Sequence, residues 1–259
     1  MTISPNLQRR LDRALATWPR WKAGLIAPPV VVRELPGGLN NHSFIVQTGQ
    51  GRAVVRVNSA SDHIFNIDRN REQLILSRIA GESFSPVVWF CDVASGVLVT
   101  EYIAGESLST GDVGDTQTRQ QIAAILARMA EINIAELPVF NYFDHLQHYR
   151  RRVLASYQVS FEQLDALEIL YRQHATEIEQ FQLSGWTSSL VHHDLLPANI
   201  IRSGHTLKVI DWEYAANGYA AIDRMTWVSE DVPCRSLIAN FSELINGYWY
   251  LLKECEMGH

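Results

Sequence analysis

The stretch that decides the fold runs Val191-His192-His193-Asp194-Leu195-Leu196-Pro197-Ala198-Asn199-Ile200-Ile201, followed after a short gap by Val209-Ile210-Asp211-Trp212-Glu213. An Asp and an Asn stand five apart on what reads as a loop, and a second Asp closes a strand twelve residues later. Oxygen ligands of this kind suit Mg²⁺. Phosphoryl transfer needs this division of labour: one carboxylate orients the attacking hydroxyl, while an Asn and an Asp hold metal on the phosphates. Singly, each would be an ordinary turn or strand-end residue. Their joint spacing between Val-Ile and Ile-Ile fragments carries the reading. A zinc site at His192, His193 and Asp194 is the weaker alternative, because adjacent residues point apart in extended chain and no partner pair completes a tetrahedral set.

Upstream, Ser4-Pro5 reads as a helix start, with Leu7, Leu11, Ala14 and Leu15 as its apolar stripe. A β-rich block follows: Val30 to Val32, Phe44 to Val46, and Ala53 to Val57 after the Gly49-Gln50-Gly51 turn. A helix is expected from about Asn66 to Ala80, then strands over Val87–Phe90 and Val97–Ile103. After Gly105 the pattern turns helical. Asp115 caps one helix, and Ser160-Phe161-Glu162-Gln163 resembles a capping box. His145 and His148 share a helix face and are expected in solvent. Strands first and helices second predict an α+β fold with the break near residues 103–106.

The whole chain of 259 residues carries 22 basic and 28 acidic groups, a net charge of −6, which argues against a nucleic-acid-binding face. No apolar run is long enough to span a membrane, and the N-terminus lacks a signal-peptide core. Cys91, Cys234 and Cys255 are scattered, so neither a disulfide framework nor a CxxC site is expected. A cytoplasmic, reduced location fits. Only Lys22, Lys208 and Lys253 are lysines; the other nineteen bases are arginine.

HxDxxxxN followed by Ile210-Asp211-Trp212-Glu213-Tyr214 resembles the aminoglycoside phosphotransferase and choline kinase superfamily, and looks closest to its choline, ethanolamine and thiamine kinases. The resemblance spans roughly Leu35 to Asp223. It implies a two-lobed, protein-kinase-like fold: a small antiparallel β-sheet lobe with one helix over residues 1–103, which binds nucleotide, and a larger, mainly helical catalytic and substrate-binding lobe over 104–259. It implies ATP and Mg²⁺ as cofactors, Asp194 as catalytic base, and Asn199 and Asp211 as metal ligands. His192 matches the first motif position, Glu213 marks the branch, and Asp223 matches an aspartate that often has a structural role.

Pro36-Gly37-Gly38-Leu39-Asn40-Asn41 sits between two strands, where backbone N–H groups and the Asn side chains would meet ATP phosphates. A kinase-like lobe also needs a cation on its third strand. No lysine stands there, and Ala53-Val54-Val55-Arg56-Val57 offers Arg56, whose planar fork can grip phosphate. Arg52 on the same strand is the alternative. Glu72 is the natural ion-pair partner. The segment around Glu101 and Ile103 resembles the hinge whose backbone holds adenine.

The acceptor is less defined. Trp212, Glu213, Trp227 and Trp249, beside Asp194, supply aromatic faces and a carboxylate suited to a cationic alcohol of the choline, ethanolamine or thiamine type. Aromatics in such a region also serve as core. The alternatives are an aminoglycoside or sugar O-phosphotransferase, an enzyme transferring AMP, and an ATP-binding pseudokinase scaffold.

Overall fold

The computed structural model describes residues 3–22, 24–36, 41–156, 159–228 and 232–257, with the side chains of Phe161 and Met257 outside the description. In chain order the elements are α1 (Pro5–Ala16), β1 (Val30–Leu35), β2 (His42–Thr48), β3 (Gly51–Val57), α2 (Arg69–Arg78), β4 (Val88–Asp92), β5 (Val97–Glu101) and β6 (Glu106–Ser107). They continue with α3 (Thr116–Glu131), α4 (Tyr142–Leu154), α5 (Phe161–Leu183), β7 (Ser189–Val191), β8 (Ile200–Ser203), β9 (Thr206–Val209), β10 (Ala216–Gly218), α6 (Ala221–Trp227) and α7 (Arg235–Met257). The chain divides into two compact units. The first takes Met1–Asp62, Arg69–Thr110 and Pro197–Trp212; the second takes His63–Asp68, Gly111–Leu196 and Glu213–His259.

The first unit is built on an antiparallel sheet of five strands in the order β1-β2-β3-β5-β4. Alternation along β3 sends Ala53, Val55 and Val57 to one face, where they pack with Phe44, Val46, Val97 and Val99 against Leu7, Leu11 and Ala14 of α1. The α1 start is as expected: the Ser4 hydroxyl accepts from the Leu7 N–H at 3.2 Å, with Pro5 in the first turn. The same alternation sends Arg56 to the opposite face, where it meets α2. That helix begins at Arg69 and not near Asn66, because Asn66 takes a left-handed φ of 53° that ends helical propagation. The β8–β9 hairpin also belongs to this unit and pairs with β6.

In the second unit α4, α5 and α7 pack around Leu146, Tyr149, Val153, Ile178, Leu244 and Tyr248, which recur at helical spacing. Asp115 caps α3 by accepting from the Thr118 N–H at 2.7 Å, and Ser160 caps α5 through the Gln163 N–H at 3.3 Å. The two α4 histidines are not in solvent. His145 is buried and bonded to the Asn66 amide at 2.9 Å, while His148 meets the Ile64 carbonyl at 3.0 Å. Burial lowers the His148 pKa, with the neighbouring Arg152 and Arg151 acting in the same direction. Among the described residues, no helix is long and apolar enough to cross a membrane.

Candidate active site

Strand β7 delivers His192, His193 and Asp194 in the second unit. The chain turns there through a left-handed His193, φ 66°, a conformation that costs of order 1 kcal/mol and must be held from outside. Asp223 of α6 does part of this. Its two carboxylate oxygens accept from the His192 N–H at 2.6 Å and the His193 N–H at 2.9 Å. The His193 ring does the rest. Its Nδ1 lies 3.1 Å from the Tyr214 carbonyl and its Nε2 lies 2.9 Å from the Tyr142 hydroxyl, which accepts from the Tyr219 N–H at 2.7 Å. A carbonyl can only accept, so Nδ1 carries the proton and Nε2 accepts from tyrosine. Burial pushes the Tyr142 hydroxyl pKa up, which keeps it a donor. The Trp227 indole N–H donates to the Leu195 carbonyl at 2.7 Å, pinning the other side of Asp194. Asp194 itself is half-buried at the end of this loop.

The close approach demands Gly218. A Cβ there would stand 2.6 Å from the Tyr142 hydroxyl and 2.8 Å from the His193 ring. The zinc alternative finds no support: both His193 nitrogens are spent, His192 Nδ1 faces the Asp194 N–H at 3.3 Å, and no group of three His, Cys, Asp or Glu side chains among the described residues is placed to hold a metal.

In the first unit, the β8–β9 register brings Asn199 and Asp211 to the same end of a hairpin. Ile200 pairs with Val209, and the Ile210 N–H donates to the Asn199 carbonyl at 2.9 Å. Asp211 is also left-handed, φ 65°, with its carboxylate 39% exposed. One amide oxygen and one carboxylate fit Mg²⁺, which keeps water and takes substrate phosphate for its other positions.

Beside Asp211 stands Arg56. Its Nη1 is 3.7 Å from Asp211 Oδ1, and its guanidinium grips Glu72 with two bonds of 2.7 Å. Its Nε donates to Asn58 at 3.0 Å. Glu72 also accepts from Arg69 at 2.8 Å, and Arg69 is paired in turn with Asp62. Burial alone would raise the Glu72 carboxyl, but the two guanidiniums outweigh it and hold the pKa below the ordinary value. Arg52 is exposed, and its Nε donates to the Gln47 amide oxygen at 3.4 Å.

Of the glycine loop, Gly37, Gly38 and Asn40 lie outside the described residues. Asn41 is buried, and its oxygen accepts from the Ser59 N–H at 3.2 Å and Arg69 at 2.8 Å, so it ties the loop base to the arginine cluster. Glu101 pairs with Val87 through its N–H at 2.9 Å and its carboxylate at 3.1 Å. The Ile103 N–H has no partner among the described residues.

The tryptophans divide. Trp212 is 1% exposed, lies tilted against Phe84 with ring centroids 6.0 Å apart and donates to the Val209 carbonyl at 3.0 Å; Trp227 is 2% exposed. Both were expected to face substrate, and both are instead buried, although Trp227 also borders a cavity lined by Arg119, Leu190 and Asp223. Trp249 is different. Its N–H donates to the Tyr214 hydroxyl at 3.0 Å and its ring lies 5.5 Å from Phe65, in the same unit as the buried Glu213. Sequence reasoning missed Phe65, Arg69 and Tyr142. Only Arg69 left a signal, three residues before Glu72 on one helix face.

The α+β fold is that of the kinase-like choline kinase structures. The family model for choline/ethanolamine kinases matches residues 32–233, and the chain belongs to that family. No curated protein matches it. Among solved structures it is similar to the choline kinase LicA from Streptococcus pneumoniae, at 18% identity over 98% of this chain and 92% of that one, TM-score 0.70. LicA has also been solved in complex with AMP. A choline/ethanolamine kinase family protein from Mesorhizobium loti shows 20% identity over 96% and 87%, TM-score 0.66. The macrolide 2'-phosphotransferase MphH from Brachybacterium faecium shows 16% over 97% and 94%, TM-score 0.55.

Proposed function

We propose that this kinase transfers the γ-phosphoryl group of ATP to the hydroxyl of a small cationic alcohol of the choline or ethanolamine type. The observation that carries the acceptor class is the Phe65–Tyr214–Trp249 aromatic cluster next in sequence to the buried Glu213 carboxylate, with the Tyr214 backbone bonded to His193 just before Asp194. Aromatic faces and a carboxylate suit an ammonium group, and the His193 tie sets that group's neighbourhood against the base.

Asp194 orients the hydroxyl and takes its proton as the oxygen bonds to phosphorus and the bond to the β-phosphate breaks, releasing ADP. Asn199 and Asp211 would hold Mg²⁺, which supplies charge neutralisation on the phosphates. Arg56, set by Glu72, provides the cation for the α- and β-phosphates. The Ile103 N–H would donate to adenine. In this reading residues 1–103, Phe65 excepted, serve the nucleotide, residues 104–259 carry the base and the rest of the acceptor site, and the reaction is cytoplasmic.

The test is ADP release over choline, ethanolamine, thiamine, an aminoglycoside and a sugar, with product mass measured. Release with a cationic alcohol and a product heavier by one phosphoryl group is expected. An adenylylated product, or turnover of the aminoglycoside or the sugar alone, would overturn the reading.

A further inference from the structure

Helix α7 places Trp249 and Lys253 one turn apart on the same face. While Trp249 closes on Phe65 and Tyr214, the Lys253 ammonium stands over the Phe65 ring, 5.7 Å from its centroid. Phe65 is 1% exposed, so Trp249 and Lys253 share in covering it. Two carboxylates act on the ammonium: Glu256, on the next turn of α7, and Glu213, from the DWE segment. The protein's own amine thus occupies the kind of environment that an acceptor's ammonium requires, an aromatic face with carboxylates about it.

We propose that Lys253 is a resident ligand of the acceptor's cation subsite, which an incoming ammonium must displace, and that it thereby sets the affinity for cationic acceptors. The inference rests on the acceptor class assigned above. Three observations support it. The ammonium is a compact charge on a flexible four-carbon stem, able to leave the ring without moving α7. Burial lowers the Lys253 pKa although Glu256 and Glu213 both oppose that, so the amine is held in a partly desolvated place and not in open water. The other two lysines are engaged elsewhere: Lys22 lies over Trp89 at 5.0 Å and Lys208 donates to the Ser85 carbonyl at 2.9 Å.

Two measurements test it. In the full chain labelled at lysine, the Lys253 ε-methylene NMR signal carries the ring current of Phe65. Titration with tetramethylammonium, a cation with no hydroxyl, is expected to move that signal saturably toward its solvent position and leave those of Lys22 and Lys208 in place. No movement of Lys253 overturns the inference. In steady-state assays, K253M is expected to lower KM for choline about tenfold, the size of one cation–aromatic contact and its charge, with K253R close to wild type and KM for ATP unmoved. An unchanged or higher KM for choline in K253M also overturns it. The failures separate: if tetramethylammonium moves Lys253 but no cationic alcohol is turned over, the acceptor assignment falls and the resident ammonium stands. If choline is turned over with the same KM in both proteins, only this inference falls.

Discussion

Glu72 carries two buried guanidiniums at once, Arg56 through two bonds of 2.7 Å and Arg69 through one of 2.8 Å, while Arg69 is also held by Asp62 at 2.6 Å. Removing it strands positive charge in a low-dielectric site, so E72A is expected to cost about 3–5 kcal/mol in urea unfolding, well beyond a surface pair. Asp223 makes a second residue-scale prediction. Burial is the largest influence on its carboxyl and lifts it from an ordinary 3.8 to about 7; the His192 and His193 N–H groups pull it down, and the Asp194 charge adds to the rise. A pKa raised on folding means the native state binds the proton more tightly. The associated stability is full below the unfolded value and is lost as pH rises through about 7. The urea midpoint of the wild type should therefore drop between about pH 5 and about pH 8 by more than that of D223N. Equal drops in the two proteins would contradict this. The reach of sequence reading at this scale depended on where a residue's partners lie. The Arg56–Glu72 pair was legible because a guanidinium on the third strand calls for a carboxylate on the facing helix. Trp212 and Trp227 were not, since an indole in a pocket and one in a core look the same until Phe84 and the Leu195 carbonyl are known.

At the scale of elements, β10 matters more than its three residues suggest. It pairs with β7 and places Gly218 opposite Ser189, so the His193 ring can lie against bare backbone. A methyl group at 218 would push that ring and the following Asp194 out of place. G218A is expected to reduce kcat on the order of a hundredfold with a far smaller change in unfolding free energy, as kinetics beside urea titration would show. Helix starts were legible at Ser4, Asp115 and Ser160, where a side chain caps the helix. They failed at α2, where the start depends on the left-handed Asn66, whose amide is bonded to His145 seventy-nine residues away. The same tertiary bond explains why His145 is drawn inward, and the Ile64 carbonyl does the same for His148. The α7 stripe read as aromatic-rich, but nothing local foretold that Lys253 would lie on Phe65.

For the whole molecule, the scarcity of lysine has a consequence. With no lysine on β3, the proposed grip on the nucleotide phosphates falls to an arginine whose position Glu72 sets with two bonds, and on that proposal R56K should not restore what R56A loses, because an ammonium cannot span both Glu72 oxygens. Nucleotide binding by calorimetry checks this, with recovery in R56K as the contrary result. The net charge of −6 accords with a cationic acceptor, and the match over residues 32–233 leaves the acceptor's identity to the second unit's own aromatic and acidic groups. The most direct test of the central claim is ADP release with choline and Mg²⁺–ATP, run side by side on the wild type and D194A, with ATP binding measured in parallel. Wild type should release ADP only when the alcohol is present, and D194A should bind ATP as before yet release none. Equal turnover in the two proteins, or tight ATP binding with no alcohol-stimulated turnover in the wild type, would contradict the account.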